Sequence, residues 1–346
     1  MSGRLTIALD AMGGDHAPGI VLKGANIARQ RHPEAHFLLV GREAEIRPQL
    51  DKLKKLAEVA TIIHADDVVS SEDKPSIALR QGRKSSMRLA INAVAEGKAQ
   101  GVVSAGNTGA LMGMAKFVLK TLPGVDRPAI ASFFPTLKGE TVMLDLGANV
   151  ECDARNLIDF AIMGRAFART VLGVPEPTYG LLNVGSEDLK GHDALREARE
   201  TLASGLVPGF HGFVEGDDIT KGTVDVVVTD GFTGNIALKA AEGTAKLMAE
   251  YLRRTFRSSM MAGLGYVLAR GALKKLRKRM DPRRYNGAVF LGLNAIAVKS
   301  HGGTDALGFA HACSVAIDMV KHRLIEKIRA DYARLAPATP TKAAAS

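Results

Sequence analysis

Short apolar runs alternate with longer segments of helical pattern along most of this 346-residue chain. The clearest apolar runs are Leu5–Leu9, Phe37–Val40, Gly101–Val103, Tyr179–Val184 and Val224–Val228. The helical pattern predicts helices at about 18–31, 43–58, 76–97, 108–120, 153–171, 192–203, 233–256 and 304–334. Such alternation predicts βαβ units, and therefore a mainly parallel sheet flanked by helices, an α/β/α sandwich. We expect one domain over 1–335 and a disordered tail, rich in Ala, Pro and Thr, at 336–346.

Two segments depart from this alternation. Pro128–Phe134 and Thr141–Leu146 flank a turn, which predicts an antiparallel pair of strands. Residues 253–284 hold eleven Arg and Lys residues and one acid, Asp281, so their charge equals the net charge of +10 of the whole chain. Apolar residues recur there at helical spacing on both sides of Gly271. This pattern predicts a protruding basic amphipathic helical hairpin.

The composition excludes several classes of protein. No run of 18 apolar residues is present, so no membrane-spanning helix is predicted. The N-terminus has a strand pattern and not that of a signal peptide, and two cysteines fit a reducing cytoplasm. A general nucleic-acid binder would more often have a broad basic face, whereas here one segment holds the charge.

Polar, glycine-rich turns follow the predicted strands. They are Asp10–His16, Ser104–Gly109, Asp145–Asn149, Gly185–His192 and Asp230–Asn235. Ligands of parallel sheets bind beyond the carboxyl ends of strands, so we expect these turns to meet at one rim of the sheet. Glycine allows close approach of the backbone, and free N–H groups at a helix start favour a phosphate-like anion. Helix capping by Asp15, Asn107 and Thr108 is compatible with that function.

Two side chains in these turns are candidates to stabilise a developing oxyanion, the ammonium of Lys190 and the amide of Asn235. The simpler interpretation of Lys190 is a solvated surface charge, and that of Asn235 is a helix cap. The nucleophile-elbow pattern Gly-x-Ser-x-Gly does not occur, and neither Cys152 nor Cys313 lies in a suitable turn. If the protein transfers an acyl group, the nucleophile is then a second substrate. Loose carboxylates such as Glu151 indicate caps and turns, so no metal site is predicted.

At these residues the chain resembles the PlsX family of bacterial phosphate acyltransferases. Five segments carry the resemblance in family order: Ile7–Asp15, Ser104–Ala110, Leu144–Asn149, Asp230–Asn235 and Lys299–Gly302. A mild departure is Asn286, which stands where the family pattern has a further glycine before Gly287. The resemblance implies a fold like those of phosphotransacetylases and the isocitrate dehydrogenase group, a homodimer, and no metal or organic cofactor. It implies the reaction of acyl–acyl carrier protein with inorganic phosphate to give acyl phosphate.

The resemblance also implies roles for individual residues. Lys190 and Asn235 correspond to the catalytic pair. The predicted phosphate- or substrate-binding residues are Asp10, Gly13, Gly14, Asp15, His16, Ser104, Gly106, Asn107, Thr108, Asn149, Asp230, Gly231, Gly234 and His301.

The basic segment at 253–284 has two interpretations, a dimer-packing element and a contact with an anionic membrane surface. The family resemblance favours the membrane, because it implies that acyl phosphate is then used by a membrane-bound enzyme, glycerol-3-phosphate acyltransferase. Acyl carrier protein is acidic and is an alternative partner of the same charges. The predicted contact residues are Met260, Leu264, Val267, Leu268, Arg270, Lys274, Lys275, Arg277 and Lys278. The expected location is therefore the cytoplasm, at the inner face of the cell membrane.

Three alternatives stay open at this point. A coenzyme A-dependent phosphotransacetylase-like enzyme would share the chemistry and differ in the carrier. An NAD(P)-dependent dehydrogenase on the related fold would need a cofactor groove and a cluster of metal-binding acids, and neither pattern is found. A basic module that binds lipid or nucleic acid would explain residues 253–284 but not the glycine-rich turns.

Overall fold

A computed structural model of the chain describes residues 4–279 and 281–335. The strands are β1 Thr6–Asp10, β2 His36–Gly41, β3 Ala60–His64, β4 Gly101–Ser104, β5 Ala129–Thr136, β6 Gly139–Leu144, β7 Tyr179–Leu182, β8 Phe210–Val214, β9 Val226–Val228, β10 Ala288–Leu291 and β11 Ile296–Lys299. The helices are α1 Gly19–Arg31, α2 Glu43–Leu50, α3 Lys54–Ala57, α4 Pro75–Gln81, α5 Ser86–Ala95, α6 Thr108–Leu119, α7 Ala154–Val171, α8 Asp193–Ala203, α9 Gly216–Lys221, α10 Gly231–Phe256, α11 Met260–Arg279, α12 Ala306–Lys321 and α13 Leu324–Leu335. The tail predicted at 336–346 lies outside the described residues.

All strands of the described residues join one sheet in the order β3-β2-β1-β4-β11-β10-β5-β6-β9-β7-β8. The five strands from β3 to β11 are mutually parallel, and so are the four from β6 to β8. Between these groups, β10 is antiparallel to β11 and to β5, and β5 is antiparallel to β6. The second group therefore runs opposite to the first. The predicted mainly parallel sheet and the antiparallel pair β5–β6 are confirmed.

Helices cover both faces of the sheet, so alternate residues of the central strands enter different parts of the core. In β1, Ile7 and Leu9 pack on one face, and Ala8 packs on the other. The first face is covered by α1, α7 and α12, which contribute Leu22, Phe160 and Phe309. The other face is covered by α5 and α6. Burial on both faces explains why the strands are continuous apolar runs without polar alternation.

Three predicted helices are each divided in the structure. The segment 43–58 contains Pro48 and gives the two short helices α2 and α3. The segment 76–97 is interrupted at Gly82, and α5 begins after Ser85, whose hydroxyl accepts from the Arg88 N–H at 3.2 Å. The segment 304–334 divides at Arg323, whose φ of 54° ends helical geometry. Apolar residues keep helical spacing across the breaks near Pro48 and Arg323, and so the pattern did not reveal those two. At Gly82 a signal was available, because no apolar residue lies between Leu79 and Met87.

The basic segment contains the turn of a helical hairpin, but not at Gly271. The long helix α10 ends at Phe256, and α11 then continues through Gly271 without a break. The two helices meet through an edge-to-face contact of Phe256 with Tyr266, whose ring centroids are 5.5 Å apart. Among the described residues, no helix is both long and apolar enough to cross a membrane.

The start of α10 packs closely against the loop after β6. A Cβ atom at Gly234 would lie 1.9 Å from the carbonyl oxygen of Asp145, which is main chain and cannot rotate away. We therefore expect Gly234→Ala to lower the free energy of unfolding by about 3 kcal/mol or more.

Gly243 in the same helix is the matched control, because its Cβ would meet no atom within 4 Å. Gly243→Ala should raise the free energy of unfolding by up to about 1 kcal/mol through helix propensity. Urea denaturation followed by circular dichroism measures both variants. Equal stability of the two variants would contradict this description of the α10 start.

Candidate active site

Asp10 ends β1 and organises the loops around it. Its buried carboxylate accepts hydrogen bonds from the hydroxyls of Ser86, at 2.6 Å, and Ser104, at 2.7 Å. The Ser104 hydroxyl itself accepts from the main-chain N–H of Gly106 at 3.0 Å. Burial raises the pKa of Asp10, because the carboxylate loses its solvation. The polar atoms of Asp10 and Ser104 therefore fix the loops after β1 and β4.

Gly13 and Gly14 allow the loops after β1, β4 and β11 to touch. A Cβ at Gly13 would lie 2.6 Å from the Asp10 carboxylate and 2.8 Å from the Gly106 nitrogen. Gly14 has a φ of +100°, and its Cβ would lie 3.0 Å from the carbonyl oxygen of Gly302. That same carbonyl accepts from the Asp15 N–H at 3.1 Å. We call the end of the sheet where these three strands finish the first rim.

A cavity of about 500 Å³ opens at the first rim. It is lined by Met12, Gly14, Asp15, Val68, Val69, Ser70, Ser71, Ala105, Gly106, Asn107, Thr108, Gly109, Lys299 and Gly302. The Asn107 amide donates to the carbonyls of Ser71, at 3.0 Å, and Asp73, at 2.9 Å, and so holds that loop over the start of α6. The structure thus brings Gly14, Asp15, Gly106, Asn107 and Thr108 to one cavity, as predicted.

The N-terminus of α6 supplies unused donors to this cavity. Asn107 caps the helix by accepting from the Ala110 N–H at 3.0 Å. Within the described part of the chain, the N–H groups of Thr108 and Gly109 have no acceptor. Free N–H groups and the helix dipole favour an anion at this position.

Lys299 is a cavity residue that the predicted site did not include. Its ammonium donates to the carbonyl oxygens of Ala105, at 3.3 Å, and Ser300. Burial lowers the pKa of Lys299 to about 8, although the carboxylates of Asp10 and Asp15 oppose that shift. One signal was available in the sequence, since Lys299 begins the motif Lys299–Gly302 directly after an apolar run.

The two histidines predicted for this site, His16 and His301, are exposed and do not line the cavity. The Nδ1 atom of His301 accepts from the Gly303 N–H at 3.2 Å. Asn286 holds the same loop, because its side chain accepts from the His301 N–H and donates to the Ser300 hydroxyl, both at 2.9 Å. The asparagine that departs from the family pattern therefore has a structural role in this loop.

A second polar cluster lies where β6, β9 and β7 end, which we call the second rim. Asp145 is buried there and accepts from the N–H groups of Ile130, at 2.9 Å, and Asn149, at 2.7 Å. The Asn149 amide donates to Asp145 at 2.9 Å and to the Pro128 carbonyl at 2.9 Å. Burial raises the pKa of Asp145 in spite of these donors. Asn149, predicted to bind substrate, is instead occupied inside this cluster.

The start of α10 joins the second cluster. Asp230 caps the helix by accepting from the Thr233 N–H at 2.8 Å, and the Gly231 N–H donates to the Asn149 carbonyl at 2.7 Å. Asn235 is exposed directly after the first turn of α10, and its Cβ lies 3.5 Å from where a Cβ atom at Gly147 would be. The contacts of Asp230, Gly231 and Gly234 therefore fix the start of α10 and with it the position of Asn235.

Lys190 lies in the exposed loop after β7, and its main-chain N–H donates to the Glu187 carbonyl at 3.0 Å. Because β7 is the neighbour of β9, which leads into α10, Lys190 and Asn235 lie at the same rim. The catalytic pairing of these two residues stays a prediction.

The structure contradicts the expectation that all the turns meet at one rim of a single chain. The strands β1, β4 and β11 end at the first rim, whereas β6, β9 and β7, which run in the opposite direction, end at the other rim. Lys190 and Asn235 are thus separated from the cavity beside α6. The cause is the reversal of direction at β10 and β5.

Comparisons with known proteins identify the family. A family model described as a fatty acid synthesis protein matches residues 5–327. The chain is 68% identical over 336 residues to the phosphate acyltransferase of Rhodospirillum centenum, which covers 97% of this chain and 95% of that protein. It is 58% identical over 348 residues to the phosphate acyltransferase of Paramagnetospirillum magneticum, and this alignment covers 100% of this chain and 99% of that protein. The chain belongs to the PlsX family of phosphate acyltransferases.

Membership of the PlsX family makes this chain an acyltransferase of fatty acid and phospholipid synthesis, as the five sequence segments predicted. The dehydrogenase alternative and the non-enzymatic alternative are both excluded by that membership.

Solved structures show the fold. A phosphotransacetylase from Streptococcus pyogenes superposes with a TM-score of 0.63 at 18% identity, over 94% of this chain and 95% of that one. A branched-chain phosphotransacylase from Enterococcus faecalis superposes with a TM-score of 0.57 at 14% identity, over 91% of this chain and 99% of that one. The predicted phosphotransacetylase-like fold of this PlsX-family chain is confirmed.

Neither cysteine of this phosphate acyltransferase has the properties of a nucleophile. Burial raises the pKa of the Cys152 thiol to about 12, and Asp145 adds to that shift. Cys313 is fully buried in the core, which also raises its pKa. Both thiols are therefore protonated at neutral pH, so an external nucleophile is the better explanation of the chemistry.

Among the described residues, no group of three His, Cys, Asp or Glu side chains is placed to hold a metal ion.

Proposed function

We propose that the enzyme transfers the acyl chain of acyl–acyl carrier protein to inorganic phosphate and forms acyl phosphate. An oxygen of orthophosphate bonds to the thioester carbonyl carbon, the carbon–sulfur bond breaks, and the proton lost by phosphate ends on the carrier's sulfur. The main support is the cavity beside the unpaired N–H groups of Thr108 and Gly109, because those groups favour an anion. The relatives are phosphate acyltransferases, so phosphate is the natural occupant.

Lys190 and Asn235 are proposed to stabilise the oxyanion that forms when phosphate attacks the thioester. Both side chains are exposed at the second rim, and an ammonium and an amide N–H are suitable donors. One such donor contributes roughly 3–4 kcal/mol to the stability of the transition state. The thiolate is a good leaving group, so this mechanism does not require a strong general acid.

A homodimer is proposed to bring the two rims together. Within one chain, the cavity and the pair of Lys190 and Asn235 lie at opposite ends of the sheet. Of the 26 residues of α10, only Gly231 and Gly234 are buried, and the helix exposes an apolar surface that includes Leu247, Met248, Tyr251 and Leu252. A two-fold axis beside this surface would place the second rim of each protomer against the first rim of its partner and form two equal sites.

The helix α11 is proposed to contact an anionic membrane surface. Its apolar side chains face solvent, with Met260 at 95% and Leu268 at 81% exposure, and Leu264 and Val267 are exposed as well. The cations of Arg270, Lys274 and Lys275 are exposed on the same helix; the side chains of Arg277 and Lys278 lie outside the described part. Exposed apolar residues together with cations are typical of helices that lie on anionic bilayers. We propose that the enzyme works in the cytoplasm at the inner membrane face, near a membrane-bound glycerol-3-phosphate acyltransferase.

The activity is tested by incubation of the purified protein with palmitoyl–acyl carrier protein, with and without orthophosphate. We expect acyl phosphate only with orthophosphate, and much slower cleavage of palmitoyl–coenzyme A. Lys190→Ala and Asn235→Ala should each lower kcat by about 100-fold or more, as loss of one oxyanion donor does.

Lys239→Ala is the matched control for this activity assay, because Lys239 is exposed on α10 and pairs with Glu242. It should retain the wild-type rate. Faster use of coenzyme A thioesters would favour the phosphotransacetylase alternative. Near-normal rates in both Lys190→Ala and Asn235→Ala would remove the proposed oxyanion role.

The shared site is tested by mixing two inactive variants. Thr108→Glu places a carboxylate at the cavity on the first turn of α6, where it suits the helix dipole and repels phosphate. Lys190→Ala damages the other rim. Random dimers of the two variants should regain about one quarter of the wild-type activity, because half are mixed and each of those has one intact site.

A mixture of Lys190→Ala with Asn235→Ala is the control for this experiment. Both changes affect the same rim, so every site stays damaged and no activity should return. If the Thr108→Glu mixture also regains nothing, although mixed dimers form, then the two rims do not share a site across protomers.

The membrane contact is tested by flotation with vesicles that contain anionic lipid. Leu264→Glu combined with Val267→Glu should abolish flotation, because carboxylates in the headgroup layer oppose both apolar burial and charge attraction. Leu137→Glu is the control, since Leu137 is 80% exposed in the β5–β6 turn, far along the chain from α11. Unchanged flotation of the double variant would exclude the membrane role.

A further inference from the structure

Lys299 places a half-buried cation beside the cavity without a carboxylate in contact. Among the described residues, no Asp or Glu oxygen lies within ion-pair distance of its ammonium, and the Asp10 carboxylate accepts instead from the hydroxyls of Ser86 and Ser104. Removing an ammonium from water is costly unless an anion compensates for it. The carboxylates of Asp10 and Asp15 compensate for part of this cost through longer-range attraction, and neither of them contacts the ammonium.

The ammonium of Lys299 is held between two loops that border the cavity. It donates to the main-chain carbonyls of Ala105, on the β4 side, and Ser300, on the β11 side. An ammonium has three N–H donors. Two are used by these carbonyls, so one remains, and Lys299 is one of the residues that line the cavity.

The same cavity receives the N-terminus of α6, whose Thr108 and Gly109 N–H groups have no acceptor among the described residues. A cation and a helix N-terminus therefore approach one space of about 500 Å³ from two independent elements, β11 and α6. A phosphoryl group, with its several oxygens, can accept from both of them at once.

Two carboxylates face this region. Asp10 comes from β1 and is occupied by hydroxyl donors, and Asp15 follows in the next turn and lines the cavity. His301 is nearby in the β11 loop and is exposed. The negative charge of Asp15 would repel a phosphoryl group, so the cation is needed to make the cavity attractive to that ligand.

We propose that Lys299 is the cation of a phosphoryl-binding site formed by this cavity and the start of α6. The proposal rests on the phosphate acyltransferase function and adds the residue that compensates the charge of the ligand. Two sources can supply the phosphoryl group, free orthophosphate and the phosphodiester of the carrier protein's prosthetic arm. Both present the same oxygens to Lys299.

The test compares saturation curves of Lys299→Met with those of the wild type. Methionine has a similar length and neither charge nor donor. Loss of a charge-assisted contact should raise the KM of the bound substrate by about 10- to 100-fold. A higher KM for orthophosphate assigns the cavity to free phosphate, and a higher KM for acyl–acyl carrier protein assigns it to the carrier's arm. If neither KM changes, the proposal is wrong.

Lys299→Arg should recover most of the affinity, because the guanidinium keeps the charge. Lys98→Met is the control for net charge; Lys98 is exposed, pairs with Glu96, and should leave both KM values unchanged. The pH dependence gives an independent signature. The wild-type affinity for phosphate should fall above about pH 8 as Lys299 loses its proton, whereas Lys299→Arg should not show this fall. Orthophosphate titrates in both proteins alike, so only the difference between them reports on Lys299.

Thermal unfolding separates this proposal from the proposed function. A ligand that binds the folded state raises the melting temperature. If the cavity binds free phosphate, orthophosphate should raise the melting temperature of the wild type and of Lys299→Arg but not that of Lys299→Met. If it binds the carrier's arm, acyl carrier protein should have the same effect. This readout does not need turnover, so an enzyme that forms no acyl phosphate would overturn the proposed function and leave the binding result intact. Equal shifts in the wild type and in Lys299→Met would overturn the role of Lys299.

Discussion

The direction of the strands reverses in the middle of the sheet, and the positions of all polar loops depend on that reversal. Because β10 is antiparallel to both β11 and β5, and β5 is antiparallel to β6, the direction reverses three times and the two groups of parallel strands end at opposite rims. Each rim then holds the kind of loop that parallel sheets use for ligands. One chain therefore carries two polar clusters, and the proposed homodimer would combine one cluster from each protomer.

A buried carboxylate supports the loops at each rim. Asp10 accepts from two serine hydroxyls, and Asp145 accepts from main-chain and side-chain N–H groups of the following loop. Burial raises the pKa of both, so a carboxylate in this position is retained only because its donors compensate for the lost water. Both acids serve the architecture of the loops. The side chains left exposed or facing a cavity, such as Lys190, Asn235 and Lys299, are the ones available for chemistry.

The exposed helices α10 and α11 differ from the rest of the fold. The strands and the helices around them bury apolar side chains on both faces of the sheet, whereas α11 leaves Met260, Leu264 and Leu268 in solvent next to its cations. A cluster of large exposed apolar side chains is typical of a surface that binds a partner. The proposed division, with α10 at a dimer interface and α11 at a membrane, assigns each exposed surface a partner of suitable chemistry.

The sequence by itself determined the α/β class, the order of most strands and helices, the antiparallel β5–β6 pair, and the family, because apolar periodicity and glycine-rich turns are local properties of the chain. It also located Asn107 and Thr108 at a helix start, where free N–H groups favour an anion. Only the tertiary structure decided that β10 enters between β11 and β5, that the turns divide between two rims, and that Lys299 reaches the cavity beside α6. Strand direction and side-chain burial depend on contacts between residues far apart in the chain, and no local pattern contains them. The break at Arg323 was missed because helical periodicity continues across it, whereas the polar run around Gly82 was a local signal that the sequence did contain.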